Sequence, residues 1–279
     1  MEMNILVETA TSSVLPNRQV GLRLVEPSSC SAHIEQNDAL AFLRSLPDES
    51  VDVITTDPAY SGMNQYLKLG SGRIVGDYSA KGLDESKWFE EFHDTEENYL
   101  QFLGECQRVL KQNRHIYIMF DSYSMLTLAP LIRRFFDVKN IICWDKVNIG
   151  MGHYYRRRHE FIVFASKGKR PVSAKNIPDV WRFKRIVNPT YPTQKPVEVF
   201  EAMLLASAQP GFAVCDPFVG SGSAAIAAIK RSCNFIGCDR SNRAVALATD
   251  RVQTYQTTQL DIMQKKSSLV SDEDVRWFK

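Results

Sequence analysis

The chain has 279 residues, 44% of them hydrophobic, and a formal net charge of only +2. This length can bury a sizeable core as one large α/β domain or two small ones, and the small net charge means that an anionic partner would have to meet a local basic patch. No stretch is apolar enough to span a membrane, and residues 1–4 lack the basic start of a secretory signal. We therefore expect a cytoplasmic protein without a membrane partner.

The first half of the chain alternates strand-like and helix-like patterns. Residues 1–30 show no strong period and contain one candidate strand at 21–25. Further strands are predicted at 33–38, 51–56, 116–120, 138–144 and 158–165, and helices at 39–46, 95–110 and 126–135. A strand, a helix and a second strand in succession form the unit from which parallel sheets are built.

The second half repeats the same alternation. A helix begins near Pro196 and ends before Pro210 and Gly211. Strands are predicted at 212–215 and 235–238, and helices at 224–230 and 242–256. Residues beyond 260 are polar and receive no assignment.

The six cysteines predict free thiols rather than disulfides or a metal site. They include no CxxC pair, and none of them has zinc-ligand spacing with the five histidines. Free thiols in an intracellular protein are the simpler interpretation, and we expect no bound metal.

Two segments between the predicted elements carry basic and aromatic residues. Residues 61–94 form a long loop with five glycines, which indicates either a functional lid or a disordered insert; its start directly after Tyr60 favours the lid. Residues 167–185 contain seven basic residues and one acidic residue. This composition is typical of a solvated surface loop but also suits a contact with nucleic acid.

The segment Asp-Pro-Ala-Tyr at 57–60 follows the β-branched strand 51–56. In open α/β sheets, ligands bind at the carboxyl ends of the strands. Asp57, the Pro58 carbonyl and the ring of Tyr60 would together present two acceptors and a stacking face, which suits a planar group that carries an NH2. The alternative is an aspartate that caps a strand-to-helix turn.

Residues 212–230 have the pattern of a strand, a glycine loop and a helix, which is typical of a cofactor site. Gly220 and Gly222 allow a tight turn, and the helix N-terminus offers free N–H groups. Asp239, at the end of the next strand, is placed to accept hydrogen bonds from ribose hydroxyls. NAD is not excluded, because Ala225 stands where the dinucleotide pattern accepts glycine or alanine. A P-loop is excluded, because no Lys-Ser/Thr pair follows the glycines.

Three segments in one order resemble the β-class of amino-DNA methyltransferases. They are Asp-Pro-Ala-Tyr at 57–60, Pro-Thr-Gln-Lys-Pro at 192–196 and Asp-Pro-Phe-Val-Gly-Ser-Gly at 216–222, within a resemblance that covers roughly residues 33–250. The resemblance implies a single α/β domain with a Rossmann-like class I methyltransferase fold and a mostly parallel seven-stranded sheet flanked by helices. The sequence departs from the family at Ala59, which replaces a proline, and in its short target-recognition region near 167–190.

The resemblance also implies S-adenosylmethionine as the cofactor and assigns residues to it. Asp239 would hold the ribose, and Thr193 and Lys195 would contact the carboxylate end, although 193–196 would equally suit a helix N-cap followed by proline. The methionine and sulfonium side would be lined by Asp216, Phe218, Gly220 and Gly222, and the adenine ring by Asn37, Asp38 and Ala39. Asp57 and Ser221 are further candidates for the cofactor site.

The function implied by the resemblance is methylation of an exocyclic amine on a base flipped out of double-stranded DNA. Asp57 and the Pro58 carbonyl would accept the two N–H bonds, and Tyr60 would stack on the base, so that catalysis comes mainly from positioning and charge stabilisation. Aspartate at the first motif position goes mostly with adenine N6 in this family. We therefore expect a site-specific adenine methyltransferase of the restriction-modification type, acting as a homodimer.

DNA contacts are expected from the 61–94 loop and from basic residues that would bind phosphates. These residues are Arg156, Arg157, Arg158, Lys169, Arg170, Arg182, Lys184 and Arg185. A structural role for 158–160, with Glu160 pairing the neighbouring arginines, is the alternative for that segment. For the whole chain, the alternatives are a cytosine N4 methyltransferase, a catalytically weak DNA-binding subunit and an NAD-dependent oxidoreductase.

Overall fold

The computed structural model describes residues 30–58, 95–122, 124–150, 155–174, 176–191 and 193–269. Their strands are β1 (Ala32–Gln36), β2 (Val51–Thr56), β3 (Leu110–Phe120), β4 (Asp137–Asp145), β5 (His159–Lys167), β6 (Val180–Arg182), β7 (Ala213–Asp216) and β8 (Asn234–Asp239). Their helices are α1 (Ala39–Ser45), α2 (Glu96–Val109), α3 (Ser124–Thr127), α4 (Ala129–Ile132), α5 (Val197–Ser207), α6 (Ser223–Lys230) and α7 (Asn242–Leu269).

The strands form one sheet in the order β1-β8-β7-β2-β3-β5-β4-β6. Every neighbouring pair is parallel except the two pairs that involve β5, which runs antiparallel to β3 and to β4. The predicted α/β fold with a mostly parallel sheet is confirmed. The sheet has eight strands in the described residues rather than seven, because β6 is an additional edge strand.

The direction of the strands gives the sheet two distinct edges. We call the edge where β1, β2, β3, β4, β6, β7 and β8 end the carboxyl edge, and the opposite edge the amino edge. Since β5 runs the other way, His159 lies at the carboxyl edge beside Asp145, and Lys167 lies at the amino edge beside Arg114. A strand of nine residues separates the two edges by about 30 Å.

Helices cover both faces of the sheet and bury two hydrophobic cores. Alternate residues of β2 point to opposite faces, so that Val53 packs with α5, α6 and α7 and Ile54 packs with α1 and α2. All six residues of β2 are buried. This central position explains why the strand is rich in β-branched residues, and its one charged residue, Asp52, is buried with it.

The structure breaks one predicted helix, extends another and adds a strand that was not predicted. The helix expected at 126–135 is replaced by the short helices α3 and α4, because Pro130 stands in the first turn of a new helix and cannot continue an earlier one. Strand β6 has only three residues, too few to show a period in the sequence, although its Trp181 is buried. The final helix continues to Leu269 instead of ending near 256. The candidate strand at 21–25 lies outside the described residues.

None of the helices within the described ranges combines the length and the apolar character needed to cross a membrane.

Candidate active site

The carboxyl edge brings together acidic and polar residues that are far apart in the sequence. Asn37 follows β1, Asp239 ends β8, Asp216 ends β7 and Asp57 follows β2. Because β1, β8, β7 and β2 are successive neighbours in the sheet, these four residues lie in a row. These four residues, all predicted site residues, therefore lie at the same edge of the sheet. This is the edge at which open α/β sheets bind their ligands.

The loop between β7 and α6 contains two glycines with left-handed backbone. Gly222 has a φ of 79°, and a Cβ at this position would lie 2.8 Å from the Cβ of Ala248 on α7. Gly220 has a φ of 50°, and a Cβ there would lie 3.4 Å from the ring of Tyr191. Gly222 is therefore required by the turn and by the close packing of α7, whereas Gly220 lets the loop pass close to Tyr191.

Two carboxylates, the buried Asp216 and the partly buried Asp239, hold the backbone of this glycine loop. Asp216 accepts a hydrogen bond from the Phe218 N–H at 2.9 Å. Asp239 accepts from the N–H groups of Gly220 and Ser241, both at 2.9 Å. Burial raises the pKa of Asp216 to about 8 and also raises the pKa of Asp239 above its ordinary value. Positive charge or hydroxyl donors from a ligand would stabilise both carboxylates, which still have free lone pairs.

The residues predicted to meet the adenine ring lie next to Asp239. The Asn37 N–H donates to the Asp239 carbonyl at 3.1 Å. Asp38 is the N-cap of α1, and its side chain accepts from the N–H groups of Leu40 and Ala41. Ala39 is buried in the first turn of the same helix. The carboxylate of Asp38 therefore has a structural role that local sequence could have predicted, while the cofactor contact remains a prediction.

The segment that precedes α5 does not form the helix cap considered from the sequence. The N-cap of α5 is Pro196, without a side-chain hydrogen bond, and Thr193 is exposed. Lys195 instead turns its side chain toward Asp57, while its carbonyl accepts from Ser223 Oγ at 2.7 Å. The N-cap alternative for 193–196 is therefore wrong, and the segment connects the end of β2 with the start of α6.

Lys195 belongs to a chain of alternating charges, which we call the charge cluster and define as Asp57, Lys195, Glu160 and Lys146. Lys195 Nζ hydrogen-bonds Asp57 Oδ2 and lies 3.7 Å from Glu160 Oε2. Glu160 Oε1 in turn accepts from Lys146 Nζ. The four side chains are between 15% and 24% exposed. Their formal charges sum to zero, which limits the penalty of holding ions in a poorly solvated site.

Three members of the charge cluster, Asp57, Glu160 and Lys195, have perturbed pKa values. Burial raises the pKa of Asp57 above its ordinary value, although Lys195 opposes the shift. Burial would also raise the pKa of Glu160, but Lys195 and Lys146 outweigh it and hold that pKa below its ordinary value. The neighbouring carboxylates outweigh the burial of Lys195 and raise its pKa, so it stays protonated. Asp57 is thus the member whose environment most favours a neutralising partner.

The structure corrects the proposed pairing of Glu160. Glu160 contacts Lys146 and Lys195, whereas Arg158 donates to Asp145 with Nε–Oδ1 at 2.6 Å. Arg158 lies before the first residue of β5, whereas Glu160 lies within the strand and pairs with Trp144 of β4, so the two side chains have different neighbours. Pro58 is buried directly after Asp57. Ala59, Tyr60 and the predicted lid at 61–94 lie outside the described residues.

Six of the eight basic residues predicted to bind DNA lie at or near the carboxyl edge. Arg182 ends β6 beside Asp145, and Lys184 and Arg185 follow it. Arg156, Arg157 and Arg158 immediately precede β5; all six of these residues are exposed. Arg156 and Arg158 are engaged by the Gly150 carbonyl and by Asp145 respectively.

The other two, Lys169 and Arg170, follow β5 at the amino edge. The Lys169 N–H donates to Asn113 Oδ1 at 3.0 Å, and the Arg170 guanidinium lies 5.5 Å from the centre of the Phe212 ring. This position is about the length of a strand away from Asp57. The structure therefore does not support one continuous DNA-binding segment over 167–185, because its ends lie at opposite edges of the sheet.

Sequence patterns did not reveal every residue that shapes the site. Lys146 has no motif around it, and only the pairing of β4 with β5 brings it to Glu160. Arg251 on α7 donates from Nη1 to the Ser221 carbonyl and so supports the glycine loop. Tyr191 is buried against Gly220. Its position directly before the 192–196 motif was the one sequence feature that could have indicated its place in the site.

A sheet in which β5 is inserted antiparallel, with acidic residues at the carboxyl ends of β7 and β8 around a glycine loop, has the class I methyltransferase architecture. Residues 51–250 match the N6/N4 methyltransferase family described as DNA methylase, and the chain belongs to this family.

Individual relatives agree with this family. The chain is 29% identical over 211 residues to the Type II methyltransferase M.HhaII of Haemophilus parahaemolyticus, covering 72% of this chain and 88% of that protein. It is 27% identical over 249 residues to the Type II methyltransferase M2.DpnII of Streptococcus pneumoniae, covering 80% and 90%. TTHA0409 from Thermus thermophilus, solved with S-adenosyl-L-methionine, superimposes with a TM-score of 0.58 at 19% identity, covering 81% of this chain and 96% of that one.

The methyl donor of DNA methylases is S-adenosylmethionine, and it is therefore the cofactor of this chain. The residues present fit this group. Asp216 and Asp239 are carboxylates with raised pKa values, which suits a cationic sulfonium and ribose hydroxyls. Gly220 keeps the loop free of a side chain where it passes between Tyr191 and Asp239.

Proposed function

We propose that this DNA methylase is a site-specific enzyme of a restriction-modification system that methylates adenine at N6. The observation that carries the proposal is the position of Asp57 in the charge cluster at the carboxyl end of β2, the strand next to β7 and its glycine loop. The Type II names of the two relatives support a role in restriction-modification. DNA, rather than a small molecule, is the substrate of the family.

Asp57 and Pro58 would orient the target amine. The lone pair of an exocyclic amine is delocalised into its base, so the amine is a poor nucleophile. A carboxylate oxygen of Asp57 and the Pro58 carbonyl would accept the two N–H bonds and favour a pyramidal nitrogen with its lone pair directed at the methyl group. Asp57 would also stabilise the positive charge that develops on this nitrogen as the methyl group passes from the sulfonium, which would leave as a neutral thioether, and the nitrogen would then release one N–H proton to solvent. The expected rate enhancement comes chiefly from position.

The remaining site residues would hold the cofactor, which supplies an activated methyl group on a sulfonium. Asp239 would accept hydrogen bonds from the ribose hydroxyls, and Asn37 to Ala39 would border the adenine ring. Asp216 and the loop from Phe218 to Gly222 would enclose the methionine portion. Tyr60, the sequence candidate for stacking on the flipped base, remains a prediction.

DNA would approach the carboxyl edge. The basic residues there would neutralise phosphates in a way that depends on salt but not on sequence. They are Arg156, Arg157, Arg158, Arg182, Lys184 and Arg185. The predicted lid at 61–94 begins three residues after Pro58 in the sequence and would contribute further contacts. Base readout would come from the residues between β5 and α5.

Long-read sequencing of DNA incubated with the protein and S-adenosylmethionine tests the target base and its context together. We expect N6-methyladenine at one short site. N4-methylcytosine would overturn the adenine assignment and leave the site geometry unchanged, because a cytosine also presents an exocyclic amine. The family includes both N6 and N4 methyltransferases, so cytosine N4 methylation is the second candidate function.

The substitution Asp57→Ala tests the role of the motif. DNA and cofactor binding should survive while methyl transfer is lost. Asp137→Ala, at the exposed amino end of β4, is a matched control that removes an aspartate far from the site and should retain activity. Methylation by the Asp57→Ala protein would contradict the mechanism, and wild-type protein that binds DNA without methylating it would indicate a DNA-binding subunit.

We further propose a homodimer that acts in the cytoplasm on a palindromic or nearly palindromic site. A short recognition region reads a longer site most easily when two copies are related by two-fold symmetry. Ile141 on β4 and Val180 on β6 lie exposed on neighbouring strands and supply apolar surface for a contact. Sedimentation equilibrium should give twice the mass of the chain, and Ile141→Lys with Val180→Lys should give the monomer if this surface is the interface.

A further inference from the structure

Lys195 is positioned between two carboxylates. Its Nζ hydrogen-bonds Asp57 Oδ2, and Glu160 Oε2 lies 3.7 Å away, within the range of an ion pair. Asp57 comes from β2 and Glu160 from β5, so the two acids approach the lysine from different strands. A small rotation of the lysine side chain is enough to exchange one partner for the other.

The rest of the arrangement is fixed. The Lys195 carbonyl accepts from Ser223 Oγ at 2.7 Å, which ties the lysine backbone to the first residue of α6. Glu160 lies in β5, which is paired on both sides by β3 and β4, and its Oε1 is already held by Lys146. Its Oε2 therefore faces Lys195 from a rigid support. The lysine side chain, with its four rotatable bonds, is the adaptable member of the cluster.

The proposed chemistry puts Lys195 in conflict with the substrate. If Asp57 accepts a hydrogen bond from the target amine, that nitrogen gains positive charge as it takes up the methyl group. An ammonium on the same carboxylate repels this charge and competes for its lone pairs. A lysine that remains on Asp57 would therefore weaken the stabilisation that the transition state requires.

We propose that Glu160 is a positioning residue that draws Lys195 away from Asp57 when the target amine binds. The inference rests on the proposed role of Asp57 in amine methylation. Without substrate, Lys195 neutralises a buried Asp57; with substrate, it forms its ion pair with Glu160, and Asp57 is free to bind the amine. The total charge of the cluster is unchanged by the exchange, so no ion is left without a partner.

The substitution Glu160→Gln keeps the shape of the side chain and removes the charge that attracts Lys195. The lysine then stays on Asp57, and we expect kcat to fall about 100-fold. The Kd for S-adenosylmethionine and the Kd for DNA, both measured without turnover, should stay within about threefold of wild type, because neither partner contacts Glu160 in this proposal. A kcat within about twofold of wild type would overturn it.

The pH profile separates this role from a merely structural one. Asp57 is faced by Lys195, Glu160 and Lys146, and also by Asp216 and Tyr191. The negative charge of Glu160 raises the pKa of Asp57. In Glu160→Gln the acid limb of kcat should therefore move to lower pH while the plateau falls. A lower plateau with an unmoved acid limb would contradict the exchange.

Two further variants keep the test decisive. Glu160→Gln combined with Lys146→Met restores the net charge of the cluster and protects the fold, yet still offers Lys195 no second carboxylate, so kcat should remain low. Recovery of wild-type kcat would mean that Glu160 only neutralises Lys146, and would overturn the proposal. Glu201→Gln, which breaks the surface ion pair with Lys230, is the matched control and should leave kcat unchanged.

Failure of this inference is distinguishable from failure of the proposed function. If wild-type protein methylates DNA and the Glu160 variants match it, the methyltransferase function stands and the exchange is wrong. If wild-type protein methylates no DNA although it binds S-adenosylmethionine, the proposed function itself fails before the variants are compared.

Discussion

Strand β2 carries an aspartate near each end, and the two have opposite environments. Asp52, near the amino edge, accepts hydrogen bonds from Lys111 Nζ and Arg114 Nε, both at 2.9 Å, and from the Ala213 N–H at 3.1 Å. Burial would raise its pKa, but these donors, led by Lys111, hold it below the ordinary value. Asp57, at the carboxyl edge, shares Lys195 with Glu160, and burial raises its pKa.

The difference separates a carboxylate that stabilises the fold from one that is held ready for a ligand. Asp52 has donors to both of its oxygens and joins β2 to β3 and β7. Asp57 is partly buried with a partner that another acid also attracts, which is an unfavourable arrangement for stability alone. Perturbed carboxylates of this second kind concentrate at functional sites.

The largest expected effect is on catalysis by Asp57→Asn. The substitution keeps the size of the side chain but removes the charge that would stabilise the methylated amine, so kcat should fall about 1,000-fold, equivalent to about 4 kcal/mol. Thermal unfolding should occur at or above the wild-type temperature, since a buried charge is lost. Single-turnover methylation measures the first quantity; a variant that unfolds at a much lower temperature would show that Asp57 is mainly structural.

The reciprocal change, Asp52→Asn, should act on stability. It leaves Lys111 and Arg114 without their carboxylate and should lower the free energy of unfolding by about 3 kcal/mol, with little change in kcat of the folded protein. Because folding lowers the pKa of Asp52, its contribution is present above pH ~4 and is lost as the pH falls further. Denaturant unfolding should therefore show a larger difference between variant and wild type at pH 7 than at pH 3. Loss of catalysis without loss of stability would contradict the structural role of Asp52.

Asp216→Asn should stabilise the fold in a pH-dependent way. The folded pKa of about 8 exceeds the unfolded value of ~3.9, so the stability contributed by the protonated form is lost as the pH rises between these values. Asparagine keeps an acceptor for the Phe218 N–H. The variant should be more stable than wild type by about 2 kcal/mol at pH 8, a gain of about 4–8 °C in Tm, and equal to it near pH 4. A gain independent of pH would exclude this cause.

The smallest expected effect is on DNA affinity, and it tests whether DNA binds at the carboxyl edge rather than at the amino edge. Arg182→Gln with Arg185→Gln at the carboxyl edge should weaken DNA binding about tenfold and reduce the slope of log K against log salt by about 2. The matched pair is Lys169→Gln with Arg133→Gln at the amino edge, where Arg133 lines the same open cavity as Lys167 and Gly168. This pair should leave both quantities unchanged; equal losses from the two pairs would mean that DNA does not distinguish the edges.

Most helices and strands could be predicted because the patterns that indicate them lie within a few consecutive residues. The β-branched run of β2, the N-cap at Thr95, which accepts from the Asn98 N–H at 3.2 Å, and the glycine loop after β7 each depend on neighbouring residues alone. The same is true of the row of Asn37, Asp57, Asp216 and Asp239, since each follows or ends a strand and parallel strands end at one edge. Short elements such as β6 and the break at Pro130 were predicted less well, because three or four residues show no period.

Contacts between distant strands were decided only by the tertiary structure. The sequence places Glu160 beside Arg158, but the pairing of β5 with β4 and the segment before α5 bring the glutamate to Lys146 and Lys195. The sequence joins 167–185 into one basic segment, but the antiparallel direction of β5 sends its two ends to opposite edges. Residue types and their order therefore determined the family and the candidate site, whereas strand direction and register, which depend on long-range packing, decided which charges meet.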